Sequence, residues 1–386
     1  MPRISLESWT MIEPRKRKLV QSLWPEGRLS RWELHQRTGI TPTRVGNAAD
    51  ALLREGLLRE CTPEIMGAGR PRIPLEIDPA RRCVIGLALM PGKAEAGRLG
   101  LRGTLISRPV MKQVNDPTRL VAAGAALLAK LRNDETLGVG VSVTGFVDPV
   151  ERTLLFSSAL GGGPAATLTP IYDAAGDLPV VLENDMHALA ARWLLTHRAD
   201  QRHDVLLVWI ADGRFGAAML IDGRPNGGCT VGGNELGHSR FPIPTRKCFC
   251  GHTGCLERIV STDFLNDSEH QAHGGKSSTR SRLTLGERIA LFEKIGKDPA
   301  LDDVMKYLAY ALSNSVNFVR PHRVVLVSEF VRNIVFAEAL TGLTRAMVLP
   351  GLVERVRFDL WNQPTRGSAE TAAWLAMAEL LYGGWN

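Results

Sequence analysis

The stretch Gly233–Glu257, reading GNELGHSRFPIPTRKCFCGHTGCLE, constrains this chain more than any other. Within 25 residues it gathers three of the six cysteines, His238 and two glutamates, Glu235 and Glu257. His238, Cys248, Cys250 and Cys255 are separated by nine, one and four residues. Such a Cys3His set suits a closed, tetrahedral, structural Zn2+ site. Glycines at 251 and 254 let the loop turn sharply enough to return Cys255 to the same metal. The alternatives are a disulfide or buried thiols without metal. Cys248 and Cys250 are too close to pair comfortably with each other. The N-terminus, MPRISLESWTMIEPRKRKLV, lacks the apolar core of a secretory signal, so a reducing, cytoplasmic setting is expected.

At 386 residues, with 44% hydrophobic and 23% charged, the chain has material for two or three globular domains. No apolar run reaches the roughly 18 residues of a membrane helix, and no membrane partner is expected. The net charge of +7 is uneven: Met1–Arg82 holds 15 Lys and Arg against 10 Asp and Glu. A basic N-terminal module points toward nucleic acid, although a solvated basic face fits the same letters.

That module reads as three helices. The first spans Arg15–Leu23, with Leu19, Val20 and Leu23 as its apolar stripe and Pro25-Glu26-Gly27 ending it. Ser30 and Glu33 form a capping box for the second, Leu34 faces inward, Gly39 closes the helix and Ile40 re-enters the core. Thr41 can cap the third, Pro42 fits its first position, and Val45, Ala48, Ala49, Leu52 and Leu53 supply a buried face. Helix, glycine turn and helix make a helix-turn-helix pattern. Its second helix would present Thr41, Thr43, Arg44 and Asn47 to the major groove of double-stranded DNA. Arg54–Glu60 looks like the turn into a wing, and Gly67–Arg72 is a basic arm whose Arg70 and Arg72 suit a narrow minor groove. A small helical bundle used for protein contacts shares much of this pattern.

Past Asp78-Pro79 short apolar runs alternate with helical stretches. The strands read as Cys83–Leu89, Leu137–Val143, Pro179–Leu182, Val205–Ile210, Ala217–Ile221 and Val324–Val327. Helices read as Thr118–Arg132, Met186–Leu195, Leu301–Val319 and Ala369–Leu381, giving an α/β architecture. At the end of one strand, Asn184 and Asp185 are placed either to bond hydroxyl groups or simply to cap the next helix. His187 reads as a surface residue or one acting through a neighbour.

Glu235-Leu236-Gly237-His238, followed by Cys248-x-Cys250-Gly251-x-x-Gly254-Cys255-Leu256-Glu257, resembles the zinc and sugar-site motif of the ROK family, which contains bacterial repressors and sugar kinases. The resemblance implies a two-lobed, actin-like and hexokinase-like ATPase fold behind an N-terminal winged helix-turn-helix. Residues 1–80 would form the DNA-binding domain, 81–195 with a C-terminal helix at about 365–386 the first lobe, and 196–364 the second lobe with the zinc site. Gly69-Arg70-Pro71 matches a feature common at the end of the family's DNA-binding module. Carried over residue by residue, Asn184, Asp185, Glu235, His238 and Glu257 would face a sugar, with Asp185 matching the general base of the kinases. His238 could ligate zinc through one nitrogen and bond the sugar through the other. Ser157 and Ser158 stand where many relatives have a sugar-binding asparagine.

The same resemblance implies lost ATP chemistry. Kinases of the family open with Asp-x-Gly-Gly-Thr after the first strand, where this chain has Leu89-Met90-Pro91-Gly92-Lys93. Their second phosphate loop appears here as Asp212-Gly213-Arg214-Phe215-Gly216, and a late Gly-Gly as Ser328-Glu329-Phe330. An aspartate in such a loop repels phosphate. The expectation is a sugar-responsive transcriptional regulator, a repressor acting as a homodimer or dimer of dimers on operator DNA, with structural Zn2+, no ATP and no enzyme activity. The rivals are a ROK sugar kinase with an unusual phosphate site and a zinc-stabilised protein-interaction module. Ser277–Arg282 reads as a surface loop.

Overall fold

Local signals set the described part of the first 77 residues in the computed structural model, which describes residues 12–63, 72–114, 116–157, 166–197, 203–226, 232–272, 283–328, 330, 334–362 and 367–383. Most of the arm Gly67–Arg72, Arg70 included, and Ser158, Glu329 and 277–282 lie outside the described residues. Helix α1 (Pro14–Glu26) buries Leu19, Val20, Leu23 and Trp24. It runs past the expected stop at Pro25, because Gly27, at φ 82°, closes the last turn by donating to Leu23 O at 2.9 Å. Helix α2 (Arg31–Thr38) has the full capping box of Ser30 and Glu33 and ends at Gly39 in the left-handed conformation, φ 68°. Helix α3 (Pro42–Arg54) buries Val45, Ala49 and Leu52. Thr41 sits at its N-cap position, yet its hydroxyl makes no capping bond. Its carbonyl closes the first turn instead, accepting from Val45 N at 2.9 Å, and the side chain is exposed. Strands β1 (Arg28–Ser30), β2 (Leu58–Glu60) and β3 (Pro74–Ile77) form an antiparallel sheet in the order β1-β3-β2. This is a winged helix-turn-helix.

The chain divides into two compact units. One lies within Met1–Leu155, Ala165–Arg198 and Gly367–Asn386, the other within Phe156–Pro164 and Ala199–Arg366. In the first, β4 (Cys83–Met90), β5 (Lys93–Gly100), β6 (Val110–Gln113), β7 (Thr136–Val143) and a later strand make a five-stranded sheet. Three short strands follow β7 and form a small sheet of their own: β8 (Phe146–Asp148), β9 (Thr153–Phe156) and β10 (Ala166–Thr167). The later strand is β11 (Val180–Asn184), and the order is β11-β7-β4-β5-β6. Helices α4 (Leu120–Leu131), α5 (Thr169–Ala175) and α6 (Asp185–Thr196) belong to this unit.

Its last helix explains two glycines. Gly86 of β4 and Gly140 of β7 are register partners. A methyl group on Gly86 would overlap the backbone of Ala369 and Ala373, and one on Gly140 the carbonyl of Ala372. The C-terminal helix Ala369–Tyr382, rich in buried alanines, therefore lies directly on the sheet backbone. No larger residue fits there.

In the second unit β12 (Val205–Ala211), β13 (Arg214–Ile221), β14 (Arg224–Pro225), β15 (Arg323–Ser328) and β16 (Arg357–Trp361) are ordered β14-β13-β12-β15-β16. Around it stand α7 (Leu256–Ile259), α8 (Thr262–Ala272), α9 (Leu285–Ile295), α10 (Pro299–Val319), α11 (Ile334–Met347) and α12 (Pro350–Val353), which leaves the C-terminal helix as α13. One apolar core joins Leu206, Val208 and Ile210 of the sheet to Ile289, Leu308, Leu312 and Phe336 of the helices. Both units have the actin-like, hexokinase-like α/β construction. Among the described residues, no helix is long and apolar enough to cross a membrane.

Candidate functional site

The cysteine loop is built on β13 and α7. Asn234 fastens its start to β13, its N–H donating to Ala217 O at 2.9 Å and its Oδ1 accepting from Met219 N at 2.7 Å. A short 3-10 turn, Leu236–His238, then presents His238. At the far end Cys255 immediately precedes α7, whose Leu256 and Ile259 are fully buried. Between them, Arg246 bonds Asp267 through Nε and Nη2 at 3.0 and 3.1 Å, and Thr245 Oγ1 accepts from Gly254 N at 2.7 Å.

This framework brings one ligand atom from each of His238, Cys248, Cys250 and Cys255 to within 4.8 Å of all the others. The three cysteines are free thiols. Cys250 Sγ lies 3.6 Å from Cys255 Sγ, and Cys248 Sγ lies 3.6 Å from His238 Nδ1. A tetrahedral zinc with Zn–S near 2.3 Å and Zn–N near 2.05 Å has S···S edges of about 3.8 Å and N···S edges of about 3.6 Å. The donor set therefore fits zinc, with the widest pair contracting by about 1 Å. Burial pushes the Cys255 thiol up to about 12, with the neighbouring Cys250 and Cys248 adding to the rise. Burial raises Cys250 too, but the His252 backbone and ring and Cys255 outweigh it and hold that thiol below its ordinary range. Packed sulfurs of this kind need a cation to become thiolates together.

His238 turns Nδ1 to the sulfurs and Nε2 outward, where Glu235 Oε2 stands at 3.5 Å. Glu257 is nearly buried, with Oε2 at 3.8 Å from His238 Nδ1 and 3.7 Å from Cys248 Sγ. Glu235, His238 and Glu257 thus stand together beside the cysteines.

In the other unit, Asn184 and Asp185 mark the junction of β11 and α6. Asn184 caps the helix, its Oδ1 accepting from Met186 N at 2.8 Å, while its Nδ2 donates to Gly145 O at 2.8 Å. A side-chain amide can make one further donor and one further acceptor bond beyond these two. Asp185 Oδ2 accepts from Thr144 Oγ1 at 2.7 Å. Thr144 and Gly145 belong to the glycine turn after β7, which parallel pairing with β11 brings to the same sheet end.

Sequence reasoning missed the group beneath this junction. Glu183 is buried and its Oε2 takes both Asn184 N at 3.2 Å and His187 Nδ1 at 2.9 Å. His187 is not a surface residue: it is 1% exposed, one helical turn beyond Glu183, where the carboxylate draws it inward. Ser157 is buried at the end of β9.

The loop corresponding to a phosphate loop is the β12–β13 turn. Asp212 Oδ1 accepts from Thr262 N at 2.7 Å and Oδ2 accepts from Thr262 Oγ1 at 2.5 Å. Thr262 is the first residue of α8, so a carboxylate of the chain itself occupies the electropositive start of that helix. On the N-terminal module, Thr41, Thr43, Arg44 and Asn47 are all exposed along α3. The guanidinium of Arg72 lies 4.9 Å from the ring centroid of Trp32, itself 55% exposed.

Comparison with known proteins bears on the family and the fold. The xylose repressor of Bacillus spizizenii is 22% identical over 322 residues, covering 82% of each chain. The N-acetyl-D-glucosamine kinase of Citrobacter koseri is 29% identical over 215 residues, 51% of this chain and 67% of that one. Among solved structures, a ROK family transcriptional regulator described as a homolog of the E. coli MLC protein superposes with a TM-score of 0.76 at 20% identity, over 95% of this chain and 96% of its own. A ROK family glucokinase from Streptomyces griseus, in complex with glucose and AMPPNP, superposes at 0.60 with 18% identity over 78% and 100%. The family model that matches residues 113–378 is that of the ROK family, and to this family the chain belongs.

Proposed function

We propose that this protein is a sugar-responsive transcriptional regulator, a repressor in its simplest form, that binds operator DNA through α3 and the wing and senses a sugar through Asn184, Asp185, Glu235, His238 and Glu257. The observation that carries this reading is the N-terminal module: a second helix of a helix-turn-helix whose Thr41, Thr43, Arg44 and Asn47 all face solvent. Arg72 carries a positive charge suited to a narrow minor groove, and Arg70, which lies outside the described residues, is assigned the same role from the sequence. A homodimer matches two half-sites of an operator, and ligand binding changes operator affinity to the extent that it favours one arrangement of the modules over the other. The chain works in the cytoplasm.

Zinc belongs to this proposal as a structural ion held by His238 Nδ1, Cys248, Cys250 and Cys255. It supplies a fixed centre of positive charge that stabilises three thiolates. His238 then keeps Nε2 directed at the sugar hydroxyls, and Glu235 and Glu257 accept from them.

Asp212 supports a sensor over a kinase, because its carboxylate sits in the turn that resembles the family's second phosphate loop, where negative charge repels phosphate. The kinase is the second reading, favoured by Asp185 in the position of a general base. A thermal-shift screen with D-xylose, D-glucose and N-acetyl-D-glucosamine, each with and without Mg-ATP, separates the two. A sugar at 100 times its dissociation constant adds about 2.7 kcal/mol. The regulator predicts stabilisation by one sugar with no further effect of Mg-ATP, and recovery of specific DNA in a genomic binding selection. Sugar-dependent release of ADP would instead establish the kinase.

A further inference from the structure

We propose that helix α6 is the mechanical link between effector and operator, and that the indole of Trp24 is the joint through which it acts on the DNA-binding module. The inference rests on the reading of Asp185 as a sugar ligand and α3 as a DNA-binding helix; it adds how the two communicate.

Helix α6 is about 17 Å long at 1.5 Å per residue. Its first residue is Asp185, so a ligand that engages this carboxylate acts on the helix itself and not on a loop. Its other end lacks intrahelical partners for the last carbonyls, as every helix does. Thr196 Oγ1 donates to Arg192 O at 2.8 Å, and His197 N donates to Trp193 O at 2.8 Å. The carbonyl of Leu195 is taken from outside: Trp24 Nε1 donates to it at 3.2 Å, in a buried contact between residues 171 positions apart. A helix terminus that begins at the effector side chain is thus completed by the N-terminal module.

Trp24 is held on its other sides. Its ring meets Trp374 of α13 edge-on, with centroids 6.0 Å apart, and the Arg102 guanidinium lies 5.4 Å from its ring centroid. Arg102 Nη1 also donates to Trp24 O at 3.0 Å. Helix α13 is in turn tied to α6 by Arg192 and Glu370 at 2.8 Å. On the module side, Trp24 belongs to α1, whose Leu19, Val20 and Leu23 are buried in the core shared with Val45, Ala49 and Leu52 of α3. A displacement of α6 along its axis either carries Trp24, α1 and α3 with it or breaks the indole bond. These are the two discrete arrangements that a coupling element requires.

The test uses the full chain, a DNA fragment recovered by selection with it, and whichever of D-xylose, D-glucose and N-acetyl-D-glucosamine stabilises it. Trp24→Phe keeps a ring against Trp374 and Arg102 but deletes the N–H. Couplings between sites commonly amount to about 5- to 150-fold in affinity. In Trp24→Phe the sugar-induced change in operator affinity falls to less than about threefold, while the affinities for sugar alone and DNA alone each stay within about threefold of wild type. A merely structural Trp24 lowers thermal stability and leaves the ratio as it was, and that result overturns the inference. If Trp24→Phe does not fold, Trp24→Leu, which likewise lacks the N–H, decides between the same two outcomes. A wild-type chain whose operator affinity ignores every sugar removes the functional reading itself; a responsive wild type matched by an equally responsive Trp24→Phe removes only the joint.

Discussion

Replacing Cys255 by serine should release the metal and loosen the loop it closes. The magnitude follows from the chain path. Zinc would cross-link His238 to Cys255 across 16 intervening residues. Within that span the described backbone bonds include Ile243 N to Phe241 O, Cys248 N to His252 O, Gly251 N to Cys248 O, and the ties of Phe241 and Leu256 at the loop's base. Zinc would add a cross-link to these ties. A cross-link around a loop of about 15 residues lowers the free energy of folding by about 3 kcal/mol in the chain-entropy account. For a unit of this size, 1 kcal/mol moves the midpoint by about 2–4 °C, so Cys255→Ser should lower the melting temperature by about 6–12 °C. Wild-type protein should carry one zinc per chain by elemental analysis, Cys255→Ser less than about a tenth of that, and Cys61→Ser, whose thiol lies outside the cluster, the wild-type amount. A zinc-free wild type, or a Cys255→Ser chain that melts with the wild type, would refute the reasoning.

Four further outcomes follow from other contacts. Asp185→Asn should weaken sugar binding by about 10- to 150-fold, the loss of a charge-assisted bond of about 1.5–3 kcal/mol. It should leave the α6 cap intact, because Asn184 makes it; calorimetric titration showing less than a threefold loss would remove Asp185 from the site. Gly140→Ala should destabilise by about 3 kcal/mol or more in denaturant melts, because the backbone of α13 cannot retreat as a side chain could. Gly46→Ala in α3, with nothing within 4 Å of the added methyl, should stabilise by about 0.5–1 kcal/mol. Glu76 is held below its ordinary 4.5 by the hydrogen bond from Arg28 and, against burial, by that from Arg59. A depressed carboxylate stabilises the folded state above its unfolded value and loses that contribution as pH falls through the folded one. Urea melts should therefore find Glu76→Gln destabilising at pH 7 and progressively less so as pH falls below 4.5.

Features that depend on neighbours in sequence were legible in the letters. Ser30 and Glu33 form the capping box they spell, Gly39 adopts the left-handed turn, and the four donors from His238 to Cys255 meet at one point. Strands from Cys83 to Val327 fall within a few residues of their apolar runs, since burial on both faces leaves an unbroken signature. Even so, pattern failed for Thr41, where a good capping residue was not used as one. Propensity states what a side chain can do; the rotamer it adopts depends on what surrounds it.

The contacts most relevant to function are those no pattern could reveal, and they share a cause. Asp212 meets Thr262 across 50 residues, Thr144 meets Asp185 across 41, and Trp24 meets Leu195 across 171. Each pairs a buried or end-of-element polar group with one that the fold delivers, and neither partner looks unusual alone. Asp212 illustrates the consequence. In the letters it is only a carboxylate where glycine would suit phosphate. In the fold it accepts two hydrogen bonds at the start of α8, so replacing it by glycine would both open the turn and uncap the helix. Glycine at 212 would therefore not by itself make a phosphate-binding loop, because the start of α8 depends on the carboxylate that caps it.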